Sequence, residues 1–468
     1  MIGEHIENLI EKNLDFFPTS EQKGLISRLS EFIFSPDSEI FLLKGYAGTG
    51  KTSMLAALVQ CLKILKKDTV LLAPTGRAAK VLSLYAGAQA YTVHKKIYRQ
   101  KSLGDTAEFS LAYNGHKDAV FIVDEASMIA GSSSEQSVFG SGNLLEDLML
   151  YIKSGKRCKI VMVGDSAQLP PVGFALSPAL DMDRLEDYGK CTGMELTEVV
   201  RQTNESGILF NATQIRKQIE TNDVRLPTFK IDFPDVELLS GADLIETLSD
   251  AYDKYGQEET IIICRSNKRA NKYNEGIRNR IFFMEESIAS GDRVMIVKNN
   301  YQSLKDIEEM DFIANGDMAT IRRIRKYYDR YNLHFADMTL EFSDYNNIEI
   351  DSRAILDTLS LESASLSADD SKQLFYSIAE DYGHIANRKE RFKAIREDPF
   401  FNALQIKFAY AITCHKSQGG QWECVFLDCP WFPDDNLTYE DLRWFYTAVT
   451  RASKKLYLVN FNKKMILS

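Results

Sequence analysis

The eight residues from Gly45 to Thr52 read GYAGTGKT and fit the pattern G-x-x-x-x-G-K-[ST]. In this pattern the glycines let backbone N–H groups wrap phosphate oxygens, and the following helix adds a favourable dipole. The residues predicted to bind phosphate are Gly45, Ala47, Gly48, Thr49, Gly50, Lys51 and Thr52. Lys51 is expected to reach the β- and γ-phosphates of a nucleotide, and Thr52 is expected to bind Mg²⁺.

Two adjacent carboxylates, Asp124 and Glu125, follow the apolar run at 119–123. A carboxylate at the C-terminal edge of a strand, beside a phosphate-binding loop, is placed to hold Mg²⁺. Its neighbour can orient and deprotonate an attacking water. We therefore predict Asp124 as a metal ligand and Glu125 as a catalytic base; the alternative is a pair of ordinary surface carboxylates.

Short apolar runs alternate with helix-like segments along the chain, and the first of them leads into the phosphate loop. One series of runs lies at 39–45, 69–74, 119–126 and 159–165, and a second at 259–267, 291–298, 408–417 and 422–429. Such runs, bounded by turn residues, are typical of parallel sheets covered on both faces. The sequence therefore predicts an α/β fold with two doubly wound units.

Two segments interrupt this alternation. Residues 95–118 are predicted to form a β-hairpin with its turn near Leu103, Gly104 and Asp105. Residues 301–401 begin with strand-like stretches and continue into helix-like sequence, which indicates an inserted subdomain. The Gly- and Ser-rich stretch at 131–143 is predicted to be a loop.

The composition is that of an ordinary globular protein of 468 residues, with 44% hydrophobic and 26% charged residues. Lys and Arg total 56 and Asp and Glu total 66, so the net charge of −10 excludes a uniformly basic nucleic-acid coat but allows a local cationic channel. No apolar run approaches the ~20 residues that a membrane helix needs. No secretory signal is evident, and seven scattered cysteines are typical of reduced thiols, so we expect a cytoplasmic protein.

Eight motifs occur in order and together resemble one family. They are GYAGTGKT, APTGRAAKVL (73–82), TVHKKI (92–97), VDEASMI (123–129), VGDSAQLPPVG (163–173), LTEVVRQ (196–202), ITCHKSQGGQW (412–422) and YTAVTRA (446–452). The chain resembles superfamily-1B DNA helicases of the RecD-like and Dda-like group. The resemblance implies a P-loop NTPase with two RecA-like domains that bind ATP and Mg²⁺ between them. It places the first domain at 1–200, the second at 201–300 plus 402–468, and an SH3-like and helical accessory subdomain at 301–401.

The resemblance assigns four further residues to the nucleotide site. Gln22 would contact adenine, Gln168 would sense the γ-phosphate, and Arg201 and Arg451 would enter from across the cleft. Guanidinium groups neutralise charge that develops on a transferred phosphoryl group, an effect worth roughly 10³–10⁵ in rate. The alternatives are surface ion pairs for the two arginines and a plain helix-start residue for Gln22.

The resemblance also implies a track for a single strand of DNA. The residues assigned to this strand track are Pro74, Thr75, Arg77, Thr92, His94, Thr413, His415, Lys416, Ser417 and Gln418. Hydroxyls, amides and cations suit phosphate oxygens, and such a track needs little readout of bases. For both histidines, the alternative is a satisfied position in the core.

These expectations combine into a function. The chain is expected to be an ATP-dependent helicase that moves on single-stranded DNA, 5′ to 3′ by family resemblance, and opens forked duplexes, plausibly as a monomer. Aromatic residues of the hairpin (Tyr98, Phe109 and Tyr113) would form a wedge that splits the duplex, or would instead pack the hairpin onto its domain. The rival functions are an RNA-directed helicase of the same superfamily and an ATP-gated subunit of a recombination or nuclease complex.

Overall fold

The computed structural model describes residues 2–100, 109–131, 140–199, 206–300, 313–432 and 437–467. Three predictions fall outside these ranges: the hairpin turn at 103–105, most of the loop at 131–143, and Arg201. Within the described ranges, no helix is both long enough and apolar enough to cross a bilayer.

The first lobe, residues 2–199, is built on six parallel strands. Its elements are α1 (Ile2–Lys12), α2 (Ser20–Phe34), β1 (Ile40–Gly45), α3 (Lys51–Ile64), β2 (Thr69–Ala73), α4 (Gly76–Ala86), β3 (Ala90–Thr92), α5 (Val93–Ile97), β4 (Tyr98–Gln100), β5 (Phe109–Leu111), β6 (Val120–Val123), α6 (Leu144–Ser154), β7 (Lys159–Gly164), α7 (Met182–Glu186) and β8 (Cys191–Leu196). The order across the sheet is β3-β2-β6-β7-β1-β8. Two buried apolar clusters cover its two faces. The four predicted strands of the first series are thereby confirmed as β1, β2, β6 and β7.

Strands β4 and β5 pair antiparallel as the two arms of the predicted hairpin. The Tyr98 hydroxyl donates to Asp147 Oδ2 at 2.7 Å, and Phe109 packs against the core beneath the hairpin. Tyr113, just beyond β5, is 90% exposed. The packing alternative therefore describes Tyr98 and Phe109, and Tyr113 is the aromatic residue that remains available for a wedge.

The second lobe begins with a helix that packs beneath its sheet. This first part contains α8 (Gly207–Glu220), β9 (Phe229–Lys230), β10 (Val236–Leu239), α9 (Leu244–Tyr255), β11 (Thr260–Cys264) and α10 (Asn267–Arg280). All five residues of β11 are buried, as expected of a central parallel strand.

A closed five-stranded barrel interrupts the second lobe. Its strands are β12 (Arg293–Ile296), β13 (Met318–Arg330), β14 (Leu333–Phe342), β15 (Ile348–Ile355) and β16 (Leu404–Phe408), and the connection from β15 to β16 contains α11 (Ala368–Asp381) and α12 (Arg388–Glu397). The prediction that 291–298 belongs to the second parallel sheet is wrong, because β12 pairs antiparallel with β13 and β16. A short, fully buried apolar strand fits either environment, so its sequence could not distinguish them. The barrel therefore takes in strands on both sides of the predicted 301–401 insert.

The two helices of this connection pack on the outside of the barrel. Phe335 and Ile355 of the barrel form a buried cluster with Ile378 of α11, Ile395 of α12 and Phe400. The helical part of the insert is thus anchored through apolar contacts to β14 and β15.

The chain then returns to the second lobe. The remaining elements are β17 (Ala411–Thr413), α13 (Cys414–Ser417), β18 (Trp422–Asp428), α14 (Tyr439–Val449), β19 (Ala452–Val459) and β20 (Ile466–Leu467). The parallel sheet has the order β10-β19-β18-β11-β17. The predicted fold class of two doubly wound α/β units with inserts is confirmed. Tyr46 and Leu169 of the first lobe join the buried cluster of the second lobe, so the lobes share an apolar interface.

Candidate functional site

The loop between β1 and α3, residues 45–52, has the conformation of a phosphate cradle. Gly48 and Gly50 have φ of 80° and 85°, a left-handed region that glycine enters without steric cost. Lys51 Nζ and Thr49 Oγ1 both donate to the carbonyl of Tyr46, each at 2.8 Å. A phosphate in the loop would offer Lys51 a charged oxygen in place of this neutral carbonyl, which gives a stronger hydrogen bond.

Gln22 lies directly behind this loop. Its Nε2 donates to Thr49 O at 3.0 Å, and its Oε1 accepts from Thr19 N at 3.0 Å as part of a capping box at the start of α2. The residue is 1% exposed. The structure therefore gives Gln22 a positioning role for the loop, and its amide keeps one further N–H and one further oxygen lone pair.

Asp124 and Glu125 follow β6 at the sheet edge that also carries the phosphate loop. Burial and the neighbouring Glu125 charge raise the pKa of Asp124 well above its usual value, and the Lys51 charge partly opposes this. Glu125 has a φ of 52°, and its N–H donates to Asp124 Oδ1 at 2.9 Å. A divalent cation would stabilise the Asp124 carboxylate, and the oxygen atoms of Asp124 and Thr52 are donors of the type that Mg²⁺ prefers. The residues present therefore fit the metal.

Gln168 lies in the loop after β7 and is 6% exposed. Its Oε1 is one of the buried polar atoms that have no hydrogen-bond partner within the described chain. A buried acceptor without a partner is unfavourable, and such an atom often faces a missing ligand or water. This oxygen would accept from a bound water, and the N–H groups of the same amide are the ones that could donate to a phosphate in the predicted sensor role.

A tyrosine of the second lobe reaches the phosphate loop of the first. The Tyr446 hydroxyl accepts from Ala47 N at 2.8 Å and donates to Asp165 Oδ2 at 2.7 Å. Asp165 also accepts from Ala167 N at 2.9 Å through its Oδ1. Tyr446 was not predicted from the sequence, although this tyrosine begins the motif YTAVTRA. The available signal was that a tyrosine in a buried helix needs a partner for its hydroxyl.

Helix α8 of the second lobe also covers the loop. A Cβ added at Gly48 would lie 2.7 Å from Leu209 Cδ1, and the Arg216 guanidinium carbon lies 4.5 Å from the centre of the Tyr46 ring. These residues were not predicted either, because their segment carries no motif. The candidate nucleotide site is therefore formed by both lobes.

Arg451 does not cross the cleft in this structure. It is 4% exposed, and its guanidinium donates to Thr447 O, Gly420 O and Thr450 Oγ1 at 3.0–3.4 Å, all within the second lobe. The prediction that it enters the nucleotide site is therefore not met in this conformation. The oxygens around Arg451 satisfy its charge locally, and its guanidinium must leave them to reach the nucleotide site.

On the first lobe, the predicted strand contacts lie around the starts of α4 and α5. Thr75 and Thr92 are the N-caps of these helices, and their hydroxyls accept backbone N–H bonds from Ala78 and Lys95 at 3.2 and 3.1 Å. Pro74, just before Thr75, is half-buried. Both hydroxyls therefore have a structural role as helix caps.

Arg77 and His94 differ from the prediction. Arg77 donates to Gln421 O at 2.7 Å and stacks on the Trp422 ring at 4.2 Å, so it joins the two lobes. Burial lowers the pKa of His94 to about 4, and its ring lies 5.7 Å from that of Tyr98. His94 is therefore neutral near pH 7 and adds no charge to a phosphate track.

On the second lobe, the predicted contacts lie on and around α13. Ser417 is fully buried and its hydroxyl donates to Cys414 O at 2.7 Å, so the prediction that it contacts the strand is wrong in this structure. Gln418 Nε2 donates to Leu169 O of the first lobe at 2.5 Å. Burial lowers the pKa of half-buried His415. The sequence could show neither the burial of Ser417 nor this lowered pKa, because both depend on the packing of α13.

Lys416 and Thr413 line one pocket, together with Asn267 of α10 and Lys407 of β16. Lys416 Nζ donates to Asn315 Oδ1 in the loop before β13, and burial lowers the pKa of Lys416 to about 8. This pocket is the part of the predicted strand track where cationic and amide groups do come together.

Two family models match the chain in succession. One is described as an AAA domain and matches residues 20–226, and the other is described as a UvrD-like helicase C-terminal domain and matches residues 408–459. Together they cover the phosphate loop and the motif that contains Tyr446.

The chain is also similar to characterised helicases. It is 24% identical to the ATP-dependent DNA helicase dda of Enterobacteria phage T4, over 89% of this chain and 93% of that helicase. It is 28% identical to the ATP-dependent RecD2 DNA helicase of Deinococcus radiodurans, over 41% of this chain and 24% of RecD2. A solved structure of Pif1 helicase from Bacteroides, in complex with ADP-AlF3 and ssDNA, aligns over 97% of this chain and 95% of that chain with a TM-score of 0.49 and 16% identity. The two family models and the two relatives confirm the resemblance inferred from the motifs.

Proposed function

We propose that this chain, an ATP-driven DNA helicase of superfamily 1B, moves 5′ to 3′ along single-stranded DNA and separates duplexes as it hydrolyses ATP. The observation that carries the proposal is the contact of Tyr446 with the phosphate loop at Ala47. Because the nucleotide site includes groups from both lobes, the binding and loss of nucleotide can change how the lobes stand relative to each other.

Several side chains have distinct roles in the proposed hydrolysis. Lys51 binds the terminal phosphates, Gln168 donates an amide N–H to the γ-phosphate while its oxygen accepts from a water, and Glu125 orients and deprotonates the attacking water. Mg²⁺ bound by Thr52 and Asp124 would neutralise charge on the phosphates. Arg201 and Arg451 are proposed to neutralise charge that develops on the transferred phosphoryl group, and Arg451 must first leave its partners in the second lobe.

The strand track is proposed to span the two lobes. The first lobe contributes Pro74 and Thr75 at the start of α4, and the second lobe contributes Thr413, His415 and Lys416. Because the two groups belong to different lobes, a nucleotide-dependent movement of one lobe relative to the other would alter the distance between the two groups of strand-binding residues. The direction of movement follows from the family resemblance, and Tyr113 is the residue proposed to meet the duplex.

The proposal is tested by ATP hydrolysis with and without a short oligo-dT. We expect oligo-dT to stimulate hydrolysis, and Lys51→Ala to lower the stimulated rate by about 10²-fold or more because the phosphates lose their cationic partner. Lys63→Ala is a matched control, since Lys63 is exposed on the same helix α3. Stimulated hydrolysis that survives in Lys51→Ala would overturn the site assignment.

The same assay separates DNA from RNA as the partner. Matched DNA and RNA oligomers should differ, with the DNA oligomer giving the greater stimulation. Equal or greater stimulation by RNA would favour the RNA-directed alternative.

A further inference from the structure

The second lobe binds both main-chain polar groups, the N–H and the C=O, of one residue in the first lobe. Leu169 N donates to Thr447 Oγ1 at 2.8 Å, and Leu169 O accepts from Gln418 Nε2 at 2.5 Å. Leu169 and Thr447 are fully buried. The bond to Thr447 is therefore shielded from competition with water, the bond to Gln418 is partly buried, and together they fix the position of the Leu169 backbone relative to α13 and α14.

Leu169 directly follows Gln168, the residue whose buried amide oxygen has no partner within the described chain. A shift of the Leu169 backbone must also move the backbone of Gln168, since one peptide bond joins them. Within the first lobe, a backbone hydrogen bond also supports this loop, because the Asp165 carbonyl accepts from Gln168 N at 3.4 Å. The position of the Gln168 amide therefore depends on contacts from the second lobe.

Gln418 lies next to the second-lobe residues of the strand track. It directly follows α13, which carries His415 and Lys416, and it is only two residues from Lys416. One N–H of its amide donates to Leu169 O across the lobe boundary. A strand that moves α13 would consequently move the donor that holds the Leu169 carbonyl.

We propose that Gln418 and Thr447 are positioning residues that hold the Leu169 peptide and so set the place of the Gln168 amide, which couples strand binding at α13 to ATP hydrolysis. The inference rests on the proposed function of the same site. It replaces the expected role of Gln418 as a strand contact with a role between the strand track and the nucleotide.

The test compares four variants at these two positions. Thr447→Val keeps the shape but removes the acceptor, Thr447→Ser keeps the acceptor, Gln418→Ala removes the donor, and the fourth variant combines Thr447→Val with Gln418→Ala. The kcat of hydrolysis at saturating oligo-dT, the KM for ATP and the Kd for oligo-dT are measured for each, and melting temperatures confirm that each variant is folded.

We expect Thr447→Val and Gln418→Ala each to lower kcat at saturating oligo-dT by about tenfold, since small misplacement of a reacting group can lower the rate by this much or more. The Kd for oligo-dT should stay within about twofold of the wild-type value, given that the strand is bound by other groups. Thr447→Ser should be close to wild type. The kcat of the double variant should be little lower than that of either single variant, because both changes act on the backbone of one residue, Leu169.

Other outcomes would overturn the inference. A weaker Kd for oligo-dT in Gln418→Ala, with unchanged kcat at saturation, would make Gln418 a strand contact. Wild-type kcat in Thr447→Val, or equal losses of kcat in Thr447→Val and Thr447→Ser, would show that the Thr447 hydroxyl does not position the Leu169 backbone. If the wild-type protein itself shows no stimulation by oligo-dT, the proposed function fails instead.

Discussion

At the scale of single residues, the surroundings of a side chain decide whether it can serve the predicted chemistry. His94 and Lys416 were both assigned to the strand track, and burial lowers the pKa of each, to about 4 and about 8 respectively. His94 is thus neutral near pH 7, whereas Lys416 is still largely charged. Of the two, only Lys416 can supply a cation to a phosphate at physiological pH.

The pKa of Lys416 predicts a pH dependence of strand binding. A bound phosphate favours the charged amine, so binding raises this pKa, and affinity should be constant below pH 8 and fall as pH rises above it. The Kd for oligo-dT, measured from pH 7 to pH 9.5 at fixed ionic strength, should increase by up to about tenfold per pH unit above pH 8. Lys416→Arg should abolish the dependence, because arginine stays charged over this range.

Lys407 is the matched comparison for this experiment. Burial lowers its pKa to about 8 as well, and it lines the same pocket. Its Nζ, however, donates to Leu361 O, and it lies on the barrel strand β16. A pH dependence that persists in Lys416→Arg and disappears in Lys407→Arg would contradict the assignment of Lys416 to the strand.

The residues that the sequence could predict are those that act within one short segment. The spacing from Gly45 to Thr52 requires a particular loop, and Lys51 is found inside it. Tyr446 could not be assigned in the same way, because its partner Ala47 lies 399 residues away. The error at Ser417 has a similar cause, since its burial depends on how α13 packs.

At the scale of elements, alternation of buried strands and helices predicted the two parallel sheets and part of their strands, but not β3, β8, β10 or β19. It failed at β12, where four buried residues suit a barrel strand as well as a parallel one. Strand β8 was missed because Thr192, Gly193 and Glu195 interrupt its apolar pattern. Pairing with β1 supplies the hydrogen bonds that the pattern does not indicate.

The contact of the barrel with the first lobe can be tested at Gly76. A Cβ added there would overlap the Tyr345 hydroxyl and lie 2.7 Å from Tyr345 Cζ and 3.0 Å from Asp317 Oδ1. Since the Tyr345 hydroxyl donates to Asp317, the ring has little freedom to give way. Gly76→Ala should destabilise the protein by about 1–3 kcal/mol, as overpacking commonly does.

Urea unfolding of Gly76→Ala provides the measurement, and Gly276→Ala provides the control. A Cβ at Gly276 in α10 meets no atom within 4 Å, and alanine favours a helix by up to about 1 kcal/mol over glycine. Gly276→Ala should therefore be as stable as the wild type or slightly more so. Equal unfolding midpoints for Gly76→Ala and the wild type would show that α4 and the barrel are not packed as described.

At the scale of the whole molecule, one cleft joins the chemistry to the strand track. Tyr446 and Thr447 on α14 contact the phosphate loop and the Leu169 peptide, and Arg77 stacks on Trp422 across the same boundary. In the proposed function, nucleotide and strand therefore act on one interface between the two lobes. A protein that uses this interface as a motor should convert each turnover into movement in one direction.

Unwinding of duplexes with a single-stranded tail on either the 5′ or the 3′ side tests this claim most directly. With ATP and Mg²⁺, we expect efficient strand separation from the 5′ tail and little from the 3′ tail. Unwinding should be lost in Lys51→Ala. Efficient separation only from the 3′ tail, or equal separation without ATP, would contradict this claim.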